Sequence, residues 1–112
     1  MKQKRYLSID EIIKSPMRPH EKLRKFFKAG TRFEVGIIKN LDLLSIKNGH
    51  PAGSEKRFED DMIMEARNVG KKKYRWLVYT DLQGNQFGLS VEKMLVLHRD
   101  GIIEIESTNE YK

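Results

Sequence analysis

The sequence predicts an α+β, mainly β domain: a small barrel of five or six short antiparallel strands with an N-terminal helical extension. Two observations carry the strand assignment. Apolar and polar residues alternate through 32–37 and 62–67, the period of a half-buried strand. Gly, Asn, Asp and Ser then break the chain at short intervals, as hairpin connections do. A third observation sets the extension apart: before Gly30 the apolar spacing is helical. Several short strands around one core favour a barrel, because closure removes exposed edges.

The first helical signal is Ser8-Ile9-Asp10-Glu11, a capping box, followed by a turn through Ile12 and Ile13 that Ser15-Pro16 ends. Arg18 to Gly30 reads as a second helix, with Pro19 at the first turn and Gly30 just past the end. Leu23, Phe26 and Phe27 form its apolar stripe, and Lys22, Arg24, Lys25 and Lys28 occupy the remaining arc. After Gly30 the period becomes two: Phe33, Val35 and Ile37 share a face, and Arg32, Glu34 and Gly36 share the other. "LDLLSI" continues this sheet or begins a new strand. Residues 47–60, rich in Gly, Pro, Asn and Ser, read as a long loop, with Phe58 folding back as a lid or serving a partner.

"DMIMEARNV" places Met62, Met64 and Ala66 on one side and Ile63, Glu65 and Arg67 on the other. Asn68 to Lys71 is a hairpin connection, and strand 73–80 answers it, rich in β-branched and aromatic residues. Trp76 and Val78 are expected to fill the barrel, with Tyr74 left at the rim. "QFGLS" is a short strand, Ser90 caps a helical turn through "VEKMLVL", and "IIEIE" is the last strand. Met62, Met64 and Met94 read as adaptable core fillers.

The chain thus divides into a basic extension, 1–30, a barrel, 31–106, and a frayed tail, 107–112, within one domain. A long loop after the first strands, tight hairpins and a helical turn before the last strand resemble the element order of SH3-type barrels. That resemblance is one of order and involves no signature motif. The fold hosts many functions, so function must come from particular residues.

Composition narrows the choice. No run approaches the ~18 apolar residues of a membrane span, and "MKQKRYLSIDEI" has no apolar signal core. The absence of cysteine removes disulfides, thiolate metal sites and cysteine nucleophiles. These features point to the cytoplasm. The net charge of +6 is uneven: residues 1–40 carry 11 Lys and Arg against 4 Asp and Glu. A concentrated basic segment suggests an anionic partner.

Two stretches carry that suggestion. One is the basic helix with Lys22, Arg24, Lys25 and Lys28. The other is the hairpin "GKKKYR", with Lys71, Lys72, Lys73, Tyr74 and Arg75. Cations bind phosphates and release counterions, while an aromatic face stacks a base or packs on a sugar. Lysines also serve simply to solvate a hairpin tip and discourage edge pairing.

Catalytic patterns are missing. Glu59, Asp60 and Asp61 cluster, but neighbours on an extended chain point to opposite sides and share a metal poorly. His20, His50 and His98 lack ligand spacing. No nucleophile elbow or glycine-rich phosphate loop occurs. The sequence therefore points to a non-catalytic protein with no cofactor and no metal, binding DNA or RNA through phosphate contacts. The rival reading is a small regulator or inhibitor that docks on a larger protein through its barrel surface and residues 47–60. The sequence is silent on oligomeric state.

Overall fold

The computed structural model describes residues 25–107. The first helical signal, most of the second, and with them Lys22 and Arg24, lie outside the described residues. Within them the chain forms seven strands and one helix of five residues or more: β1 (Arg32–Ile37), β2 (Leu41–Lys47), β3 (His50–Phe58), β4 (Met62–Val69), β5 (Tyr74–Thr80), β6 (Gln86–Ser90), α1 (Val91–Arg99) and β7 (Ile103–Ser107).

All strands join one antiparallel sheet in the order β3-β2-β6-β5-β4-β1-β7. The expected closure into a barrel is not found: among the described residues no pairing joins β3 to β7. The sheet is nevertheless far from flat. β1 and β2 stand four strand spacings apart in the sheet order, which in a flat sheet is about 19 Å. The link between them, residues 38–40, gives four Cα steps from Ile37 to Leu41, a reach of at most about 14 Å. β3 and β4 face the same arithmetic across residues 59–61. Both links demand that the sheet curl, so that β2 and β3 fold back over β4 and β1. Asp61 fastens this return: its Oδ1 accepts from the Ile37 backbone N–H at 2.9 Å.

The largest departure from expectation is residues 47–60. They are not a loop: β2 and β3 are a hairpin, paired from Leu41↔Phe58 to Lys47↔His50 with one irregularity after Leu44. A two-residue turn, Asn48-Gly49, joins them, both at positive φ (53° and 76°). That is the geometry matching the twist of a β-hairpin, and Asn-Gly adopts it readily. The signal was masked because β3 has no buried position before Phe58. It also holds Pro51 and Gly53, tolerable only because β3 is an edge strand.

The core follows the predicted alternation elsewhere. Phe33, Val35, Met62, Met64 and Ala66 are buried, as are Ile103 and Ile105 of β7. Helix α1 covers this face with Val91 and Met94, and Ser90 caps it by accepting from the Lys93 backbone N–H at 3.2 Å. Phe27 completes the cover, its ring stacked 4.9 Å from that of Phe33. Phe58 lies half-buried against the core, edge-on to Tyr79 and Phe87.

Trp76 and Val78 are buried, yet they do not fill this core. Side chains alternate across a strand, and it is Leu77 that enters the main cluster. Trp76 and Val78 lie in a smaller cluster with Ile46 and Val69. The curled β2–β3 hairpin covers that side with Ile46. Trp76 is therefore a filler, but between the hairpin and the back of the sheet.

Candidate nucleic-acid interface

Two tight turns meet at one end of the sheet. The first is Asn48-Gly49. The second spans residues 70–73, between Val69↔Tyr74, the last pair of β4 and β5. Gly70 and Lys73 hold it at positive φ (85° and 51°), and the Lys73 N–H donates to the Gly70 carbonyl at 3.1 Å. The turns are joined directly: the Gly70 N–H donates to the Gly49 carbonyl at 2.7 Å.

This joint assembles charges distant in sequence. Lys47 and His50 flank the first turn, and Lys71, Lys72 and Lys73 make up most of the second; all five are exposed. None of the four lysines has an ion-pair or hydrogen-bond partner among the described residues. Lys47 and His50 escaped sequence reasoning because their segment read as loop; Asn48-Gly49 was the signal that would have placed them. Tyr74, at the start of β5, is 60% exposed, the rim position expected of it.

The remaining predicted residues divide. Arg75 is engaged within the fold. Its Nε donates to Asn68 Oδ1 at 3.0 Å and its Nη1 donates to the Phe27 carbonyl. Arg75 thus ties the start of β5 to the segment before β1. The tie has a second strand: the Gly30 N–H donates to the Ala66 carbonyl, and the Ala66 N–H to the Thr31 carbonyl, both at 2.8 Å. Lys28, exposed, follows Phe27 directly and so lies beside this end of β4 and β5. Lys25 is exposed, its ammonium 5.8 Å from the centre of the Phe26 ring.

The opposite ends of β4 and β5 carry the opposite charge. An open groove of about 700 Å³ runs between β1, β7 and the start of β4. Glu34, Asp61, Glu104 and Glu106 line it, with Ile63 and Leu82. Glu34 and Glu106 face each other across the β1–β7 pair. Among the described residues no group of three or more carboxylates or histidines is arranged to hold a metal ion.

In the turn after β5, Asp81 is a local organiser. It accepts from the backbone N–H groups of Gln83 and Asn85 and from the Asn85 amide. Partial burial pushes its carboxyl upward, but those hydrogen bonds and the Lys56 charge outweigh it and set the pKa below the ordinary 3.8.

Comparison of the chain with protein-family models, curated proteins and solved structures returns no match.

Proposed function

We propose that this chain binds nucleic acid through the phosphate backbone and catalyses no reaction. The observation that carries the reading is the joined pair of turns, which gathers Lys47, Lys71, Lys72 and Lys73, unpaired among the described residues, at one end of the sheet beside His50. Four ammonium groups with no partner among the described residues are a ready donor surface for phosphates. Lys25 and Lys28 extend it along the segment tied down by Arg75, and Lys22 and Arg24 belong to the same basic run of sequence. Phosphate contacts position a ligand without reading its bases, so the expected binding has weak sequence preference. A cytoplasmic setting belongs to this reading, as does an SH3-like element order for the curled sheet.

Fluorescence anisotropy with labelled oligonucleotides at several salt concentrations tests it. About four phosphate contacts give a log–log salt slope between about −3 and −4. Replacing Lys71, Lys72 and Lys73 with Ala should flatten that slope by about 2 to 3. Absence of binding at low salt would refute the reading.

A second reading, a small regulator docking on a larger protein, is favoured by one observation: the acidic groove with exposed Ile63 and Leu82. That chemistry suits a basic, partly apolar segment of a partner. In this reading residues 47–60 act through the ordered β2–β3 hairpin. Charge reversal at Glu104 and Glu106 separates the readings, since it should strengthen nucleic-acid binding and abolish capture of a basic protein.

A further inference from the structure

We infer that the nucleic acid taken by the joined turns is single-stranded, with a base stacked on Tyr74; this rests on the nucleic-acid reading above.

Tyr74 is the only Phe, Tyr or Trp among the described residues that is exposed; every other such ring is buried or half-buried. It is also rigidly placed. It opens β5, pairs with Val69, and follows the turn fixed by Gly70 and Lys73. Neither its hydroxyl nor its ring has a partner among the described residues. An aromatic face held in water beside three lysines has the two components of a single-strand platform: cations for the backbone and a π-face for a base.

Duplex fits less well. Its bases are already stacked inside and offer Tyr74 no free face. A two-stranded ribbon can enter the major groove, but the β4–β5 hairpin is not a free ribbon. β1 and β6 flank it, the Gly49 turn is bonded to its tip, and the Phe27 segment is bonded to Arg75. What remains outward is a low surface of two turns and one ring, suited to a flexible strand that can bend over it.

The test compares one labelled oligothymidylate with a duplex of equal length, using wild type, Tyr74→Ala and Tyr74→Phe. The exposed position lets all three fold, which thermal unfolding verifies. Single strand should bind at least tenfold tighter than duplex at moderate salt. Tyr74→Ala should weaken single-strand binding by about 5- to 150-fold, the range expected of one stacked base, while the salt slope stays unchanged. Tyr74→Phe should retain most of the affinity, because it keeps the face. Equal affinity for both forms, or a Tyr74→Ala effect under twofold, would overturn the inference and leave phosphate binding standing. Failure of both ligands to bind at low salt would instead remove the underlying reading.

Discussion

Gly88 is where a single methyl group should do most harm. It sits in the middle of β6, between Leu44 of β2 and Val78 of β5. A Cβ built there would lie 2.3 Å from the Leu77 carbonyl oxygen and 3.3 Å from Ile46 Cδ1. The Ile46 contact can relax by rotation of a methyl-bearing end. The carbonyl contact cannot, because it belongs to the backbone of a neighbouring central strand. Relief requires β5 and β6 to separate by about 1 Å, straining the adjoining ladder. Overpacking of this kind costs about 1–3 kcal/mol, and a weakened hydrogen bond adds about 1 kcal/mol. Gly88→Ala should therefore destabilise the fold by about 3 kcal/mol, lowering Tm by more than about 10 °C in a chain this size. Urea and thermal unfolding measure it. The same variant should loosen Ile46 from Trp76, and with it the joint between Gly49 and Gly70. Amide exchange at Gly70 should then rise beyond the global change. A loss below about 1 kcal/mol would show that the close approach of β5 and β6 does not hold the sheet in its curled form.

Other outcomes follow from the same geometry. Arg75→Met keeps the apolar stem and removes both donors, so it should cost about 1–2 kcal/mol of stability. Its effect on nucleic-acid affinity should be smaller than that of Lys72→Ala, because Arg75 is engaged with Phe27 and Asn68; a larger effect would return Arg75 to the binding surface. Asp81 has a folded pKa below its unfolded value, so its contribution is fully present above about pH 4 and is lost as pH falls through the lower folded value. The Gln83 and Asn85 amide resonances should shift together below pH 4, and Asp81→Asn should remove that titration.

The strands with one wet face were legible, because alternation at Phe33–Val35 and Met62–Met64–Ala66 leaves only one way for each to face the core. The cap at Ser90 was legible too. β3 was not, since an edge strand exposed along nearly its whole length writes no period into the sequence. The open sheet was equally hidden: hydrogen-bond closure is a relation between β3 and β7, which never meet in sequence. Trp76 was assigned to the right depth and the wrong cluster, because size alone does not say which side of a twisted sheet has the room. For the candidate site, the lysine triplet and Tyr74 stood out locally. Their junction with Lys47 and His50 depends on a bond between residues 49 and 70, and no local pattern encodes it. Arg75's structural tie was hidden for the same reason: its carbonyl partner lies at Phe27, far back along the chain.

The amide link from Gly70 to Gly49 also has a thermodynamic side. It brings two lysine-bearing turns together, and like charges gathered at one end of a fold work against the native state. A polyanion settling there would lift the penalty and, by mass action, shift the chain toward its native form. Heat tolerance of this chain should accordingly climb in the presence of such a ligand and sink back as salt is added. The tips of the two hairpins would come undone first wherever the anion is withheld.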